Sequence, residues 1–261
     1  MKLWLKNTLW VIGILTVLVV MRMIDNAQST QLIGLPQVDI QLFEDMMFLS
    51  EDDILNRLKD KGLVDANKTY SEVDLEAIED YLGGLPEIKT VQAYAYLGDE
   101  WRIDITLRQP IARLFNTDGS SCYLDRDGTL MPLSSNYTAH VLAVTGHINE
   151  TDYSKVAKDI MNNDSLKTIE ILDDLYLLSS YVCSDEFLSA QFTQVYVNAY
   201  NEFELIPRVG NHRILFGDAS NIAGKFKKLE IFYNEGISRA GWENYDTINV
   251  MYKSQVVCSW K

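Results

Sequence analysis

Cysteine and histidine are scarce in this chain and positive charge is well outnumbered by negative, and each shortage closes off a class of function. Its three cysteines, Cys122, Cys183 and Cys258, lie far apart with no Cys-x-x-Cys pair, so neither a zinc site nor a disulfide framework is encoded. A single bridge, Cys122 to Cys258 for instance, stays open if the compartment is oxidising; otherwise the thiols read as small core or strand residues. The three histidines, His140, His147 and His212, have no metal-ligand spacing and read as structural or surface groups. Only 23 Lys and Arg stand against 37 Asp and Glu, a net charge of -14. Nucleic acids and anionic lipid surfaces need a basic face to meet them, so the expected partners are proteins or basic groups, and no nucleic acid. Neither a cofactor nor a metal is implied.

Long apolar runs are equally scarce, with one exception at the N-terminus. Residues 3–23 include Leu3, Trp4, Trp10 and Val20, and their only charges, Lys6 and Arg22, sit near the ends. A helix of that length reaches roughly 30 Å, the thickness of a bilayer's hydrocarbon, with terminal charges able to snorkel. Lys2 and Lys6 at its start place the N-terminus inside and the bulk of the chain outside the cytoplasm. A cleaved signal peptide is the alternative, since the uninterrupted apolar run is residues 9–21 and Ala27-Gln28-Ser29 offers small residues at cleavage spacing. Arg22 and Asp25 weigh against cleavage.

After a polar tether, Val38, Ile40 and Leu42 alternate as in a half-buried strand. Ser50 and Asp53 form a near capping box ahead of the stripe Ile54, Leu55 and Leu58, with Gly62 as the stop. Ser71 and Asp74 repeat the start signal before Leu75, Ile78 and Leu82. Val91, Ala93, Ala95 and Leu97, a Gly98-Asp99 turn, and then Trp101, Ile103, Ile105 and Leu107 predict a hairpin with one apolar face. Strand, helix, helix, strand, strand is the order of a small sheet covered on one side by two helices, and it is that of a POTRA domain.

Residues 108–130, RQPIARLFNTDGSSCYLDRDGTL, support two incompatible readings. Asp125-Arg126-Asp127-Gly128-Thr129 resembles the nucleophile motif of haloacid-dehalogenase-type phosphatases, where one aspartate attacks phosphorus and the second handles the leaving-group proton. Thr145, Lys167 or Lys225, and Gly217-Asp218 would then be its further motifs, with magnesium on the carboxylates. The same residues make a hairpin turn between two short strands. The phosphatase fold needs Asp125 and Thr145 at the ends of adjacent parallel strands. The stretch between them is too short and irregular for the crossover that a parallel pair requires, which favours the turn.

Leu166, Ile169, Leu172, Leu175 and Tyr176 predict a helix capped by Asp164, with Asp173 and Asp174 on a solvated face. Three strands in a meander are expected over residues 191–216. A further helix capped by Asn221 carries Ile222, Phe226, Leu229 and Tyr233 on one face and Lys225, Lys227 and Lys228 on solvated ones. Residues 245–258 read as one long terminal strand.

The N-in anchor, the tether, the βααββ unit and then Arg108-Gln109-Pro110-Ile111-Ala112 resemble, in that order, the bacterial cell-division family FtsQ/DivIB. Leu85-Pro86-Glu87-Ile88 is similar to that family's turn into the second strand, and Tyr252 aligns with a tyrosine near its C-terminus. The resemblance implies an α+β fold: cytoplasmic stub and transmembrane anchor 1–25, tether 26–37, POTRA domain 38–109, and an antiparallel β-sheet domain with flanking helices over 110–261. It implies a non-enzymatic, single-pass scaffold of the cell inner membrane at the division septum, binding an FtsB/FtsL-like pair of division proteins by strand addition at the terminal strand. Asn249, Val250, Met251, Tyr252 and Lys253 are the residues it marks for that contact, Tyr252 otherwise being a core aromatic. A POTRA chaperone of outer-membrane assembly is the other alternative to the phosphatase, although about 150 residues after Pro110 with two helices are few for a barrel.

Overall fold

The computed structural model describes residues 2–29, 32–41, 48–96, 100–134, 137–152, 157, 171–237 and 241–261. The chain forms two compact units, Met1–Leu107 and Arg108–Lys261.

The first unit opens with helix α1 (Lys2–Ser29), 28 residues long. Side chains are described for 10–23, and all of them are exposed, Trp10 to 69% and Val20 to 49%. Those 14 positions rise only about 21 Å at ~1.5 Å per residue; among the described residues no helix is long and apolar enough to cross a membrane. The side chains of Leu3 and Trp4, expected in the anchor, lie outside the described set.

Strands β1 (Gln37–Gln41), β2 (Ile88–Ala95) and β3 (Trp101–Leu107) form a sheet in the order β1-β3-β2, with β1 parallel and β2 antiparallel to β3. The alternation of β3 puts Trp101, Ile103, Ile105 and Leu107 on one buried face. Against it lie α2 (Glu51–Asp60) and α3 (Leu75–Gly83), whose Ile54, Leu58, Ile78 and Leu82 are fully buried. The capping box is closed at both ends: Asp53 N–H donates to Ser50 Oγ (3.1 Å) and Ser50 N–H to Asp53 Oδ2 (3.0 Å). Asp74 alone starts α3, accepting from Ala77 N–H at 3.0 Å. Ser71 does not share that role; it sits in a separate 3-10 turn, Tyr70–Glu72, because the Glu72 carboxylate reaches back to Thr69 N–H (2.9 Å) and closes a turn of its own.

The second unit is one nine-stranded sheet, built from β4 (Pro110–Phe115), β5 (Ser121–Asp125), β6 (Leu130–Met131), β7 (Leu142–Gly146), β8 (Phe192–Val197), β9 (Phe203–Pro207), β10 (Arg213–Gly217), β11 (Tyr245–Asn249) and β12 (Val257–Trp260). Their order is β12-β11-β10-β9-β8-β7-β4-β5-β6. The expected all-antiparallel sheet is corrected to a mixed one, since β4 with β7, β7 with β8, and β10 with β11 run parallel. For the second and third of these pairs the helices are the reason, while β4 reaches β7 by way of β5 and β6. A parallel neighbour needs a crossover, and α4 (Leu172–Ser184) with α5 (Glu186–Gln191) carries the chain from β7 to β8. Helix α6 (Ile222–Ile231) and a π-helical turn, Phe232–Ile237, carry it from β10 to β11. Leu172, Leu175, Leu178, Phe226 and Leu229 pack into a core with Val144, Val195, Leu205, Phe216 and Ile248 of the sheet.

Three further expectations change. Asp164, Leu166 and Ile169 lie outside the described residues, and α4 begins after Ile171, which makes no side-chain cap. Asn221 does precede α6, but with a left-handed φ of 48° and no capping bond; an N-cap needs an extended backbone to aim its side chain at the first turn. The single strand expected over 245–258 is two antiparallel strands joined by a loop; Ile248 and Val250 keep the alternation, and the run of exposed residues from Met251 to Gln255 breaks it.

Candidate interaction edge and the aspartate turn

Asp125 is wholly buried, and its carboxylate is committed to its own turn. Oδ1 accepts the backbone N–H groups of Asp127 (2.9 Å) and Thr129 (2.7 Å), while Arg108 Nη1 donates to Oδ2 at 3.0 Å. Gly128 makes the turn possible: its φ is +84°, and a Cβ there would stand 3.1 Å from that of Ala157. The turn is also tied to its surroundings, as Arg126 N–H donates to Gln109 O and Tyr176 Oη–H to Arg126 O. Strand β5, which ends at Asp125, pairs antiparallel with both β4 and β6, and β4 separates it from β7, which carries Thr145. Thr145 Oγ1 accepts instead from Gln194 Nε2 at 2.8 Å. The parallel adjacency that an aspartyl nucleophile of that class requires is absent here, and Lys167 lies outside the described residues.

The other acidic pair behaves differently from expectation. Asp173 is 4% exposed rather than solvated, because it belongs to the first turn of α4 where that helix meets the core. Asp174 beside it has its carboxyl pushed up to about 6, first by burial and then by the charges of Asp173 and Asp218. Lys225 is likewise buried, not solvated. Its Nζ donates to Asp218 O (2.8 Å) and Oδ1 (2.7 Å) and stands 5.0 Å from the Phe216 ring centroid. Lys225 and Ser220 together hold Asp218 down to about 2. Among the described residues no group of three or more His, Cys, Asp and Glu could hold a metal ion, and Cys122, Cys183 and Cys258 carry free thiols.

Of the five residues marked for partner contact, none lies on a free edge. Asn249 ends β11, which is flanked by β10 and β12, and its Oδ1 accepts Met251 N–H at 2.9 Å. Val250 is fully buried and donates its N–H to Leu215 O. Met251 and Tyr252 are 43% and 51% exposed, Lys253 is exposed too, and all three belong to the loop between β11 and β12. Tyr252 is therefore a surface aromatic and not a core one. Lys228 fixes this loop from α6, its Nζ donating to the carbonyls of Val250 and Tyr252.

The edge is β12. It pairs antiparallel with β11 through Asn249↔Val257, Ile248↔Cys258 and Thr247↔Ser259, and it ends the sheet order. Val250 N–H faces β10, so by alternation Thr247 and Asn249 face β12 and pair with Ser259 and Val257. The N–H and C=O groups of Cys258 and Trp260 then point away from the sheet. Trp260 is 64% exposed, with its ring 4.8 Å from that of Tyr245, and Val257 is 41% exposed. The opposite edge, β6, is two buried residues. Beside β12 an open cavity of about 460 Å³ lies between the π-helical turn and the loop, lined by Lys228, Ile231, Phe232, Glu235 and Val256 among others. Sequence reasoning missed β12 as a separate element; the polar Lys253-Ser254-Gln255 ahead of Val256-Val257-Cys258 was the signal for a turn.

A family model described as FtsQ/DivIB, C-terminal related, matches residues 109–259, the whole span from the aspartate turn to the edge strand. The chain belongs to this family. A POTRA-like domain matches residues 36–106, the three-stranded unit. No curated protein matches the chain. Together the two domains make this a cell-division-type chain, consistent with a scaffold of the divisome, and the family implies interactions with division proteins.

Proposed function

We propose that the chain is a non-enzymatic scaffold of the bacterial division machinery, fixed in the inner membrane at the septum by α1 and capturing an FtsB/FtsL-like pair by strand addition at β12. The observation that carries this reading is the pairing of an FtsQ/DivIB C-terminal related domain with an end strand, β12, that is exposed among the described residues. An added strand gains main-chain bonds from the outward groups of Cys258 and Trp260 and specificity from alternate side chains. Tyr252, Met251 and Lys253, in the loop that leads into β12, belong to the same contact surface, whereas Val250 and Asn249 support it from within. The anchor reading rests on the 28-residue length of α1, about 42 Å at ~1.5 Å per residue, and on its apolar sequence.

A Cys258→Pro substitution tests the mechanism. It removes an outward-facing N–H from an edge strand, where proline is tolerated, and leaves the Val257 and Ser259 pairings in place. Co-purification of the FtsB/FtsL-like partners from solubilised membranes is expected to be lost while the far-ultraviolet spectrum and melting temperature stay near those of the unmodified protein. Undiminished co-purification would sink strand addition at β12. A phosphatase reading finds no support in the geometry of Asp125, and a closed barrel finds none in a sheet whose order runs from β12 to β6 without closing.

A further inference from the structure

The three-stranded sheet has an edge of its own at β2, and it is a hazardous one. Strand β2 carries one charge, the exposed Lys89 near its start; residues 90–97, Thr-Val-Gln-Ala-Tyr-Ala-Tyr-Leu, contain none and are rich in strand-forming residues, the composition that invites a second chain to pair. Tyr96 N–H donates to Glu100 O across the hairpin, so by alternation Gln92 and Tyr94 face β3 while Val91, Ala93 and Ala95 present their main-chain groups outward.

The middle one of these is already taken. Ala93 N–H donates to Glu79 Oε1 at 2.7 Å. Glu79 comes from α3, which runs close along β2; a Cβ at Gly83, one turn further on, would stand 3.7 Å from Val91 Cγ1. An edge N–H open to solvent needs no protein acceptor, since water satisfies it. Here a carboxylate holds the place that the carbonyl of an incoming strand would have to occupy, and it would confront that carbonyl with negative charge.

We propose that Glu79 closes the outer edge of β2 by standing in for one carbonyl of a missing strand, and that it thereby prevents pairing with the β2 edge of a second copy of this chain. The device does not depend on what β12 binds. Its central residue is a specificity-determining one: the side chain of Glu79 decides that the outer edge of β2 is not used.

Sedimentation of the detergent-solubilised full chain tests this. Glu79→Ala is expected to raise the self-association constant at least tenfold, and Glu79→Gln, which keeps an acceptor at the same reach, to leave it unchanged. Adding Ala93→Pro to Glu79→Ala is expected to abolish the gain, because the freed donor is then gone. If Glu79→Ala does not fold, Glu79→Leu, which retains length without an acceptor, gives the same reading. Association no stronger than in the unmodified chain, or a gain that survives Ala93→Pro, would overturn the proposal.

Discussion

The aspartate turn and the C-terminal hairpin loop are held by one device with opposite signs. At Asp125 a carboxylate gathers two backbone N–H groups of the turn that follows it; at Lys228 an ammonium gathers two backbone carbonyls, Val250 and Tyr252, from a loop more than twenty residues away. The first charge is fully buried and neutralised by Arg108, and the second stays half-buried beneath a loop whose Met251 and Tyr252 face solvent. A charge spent in the core can only hold the fold. A charge spent at the rim can hold a surface in the shape a partner meets.

The comparison breaks if the two behave alike on removal. Asp125→Ala leaves two N–H groups and a partly buried guanidinium without their acceptor, and breaking a buried pair from one side costs about 3 kcal/mol or more. In a unit of this size that is a fall of roughly 10 °C in melting temperature by calorimetry. Asp125→Asn keeps an acceptor and is expected to lose less than half as much. An unchanged melting temperature for Asp125→Ala would mean that the turn is held by β5 and β6 alone.

Lys228→Met is the next test in size. Its stability cost is expected to be about 1 kcal/mol, the worth of ordinary hydrogen bonds at a wet site. Partner affinity, in contrast, is expected to fall about tenfold, equivalent to about 1.4 kcal/mol, because the loop leading into β12 loses both of its ties to α6. Lys228→Arg, which donates to both carbonyls, is expected to restore most of the binding. Titration calorimetry beside a melting curve separates the two effects, and a loss of stability with full affinity would reverse the assignment of roles.

The turn at Asp125 was legible in the residues themselves and the role of Lys228 was not, and the reason is physical. Local signals were plain: Ser50 with Asp53, Asp74 ahead of Leu75, and the alternation of Trp101, Ile103, Ile105 and Leu107 depend on neighbours within four positions, and each forms the element that its pattern predicts. The Asp-Gly turn at 125–128 was readable as a turn for the same cause. What stayed hidden depends on partners distant in sequence. Lys225 and Lys228 look like any solvated helix face until β10 and the β11–β12 loop are packed against α6, and Asp173 looks exposed until α4 is laid on the sheet. The parallel pairs of β7 with β8 and β10 with β11 follow from the helical crossovers between them, and no local pattern records which strands a crossover brings together. Met251, Tyr252 and Lys253 read as strand by the same blindness: β-forming residues stand on both sides of them, and only their exposure beyond Val250, with Lys228 tied to the carbonyls of Val250 and Tyr252, marks the loop.

The smallest effect concerns a carboxylate that has neither device. Asp174 gains no turn of N–H groups, and its folded-state value, pushed up to about 6, lies above the ordinary 3.8. A raised carboxyl favours the folded state in its protonated form: that contribution is complete below about pH 4 and is lost as pH rises through about 6. Because Asp174 is only partly buried, the gain between pH 7 and pH 5 is expected to be about 1 kcal/mol, below the ~1.4 kcal/mol per unit of an unscreened shift. His212 works against it in the same window. Burial depresses that imidazole, so the unfolded chain binds its proton first as pH falls. Asp218, held down to about 2 by Lys225 and Ser220, contributes stability that persists above pH 4 and fails only in stronger acid, outside the window. The difference between the unmodified chain and Asp174→Asn therefore isolates the one group: denaturant unfolding at pH 7 and pH 5 is expected to show the variant lacking the acid-side gain. Parallel pH profiles for the two proteins would mean that Asp174 is hydrated in the folded state, and that α4 exposes its first turn after all.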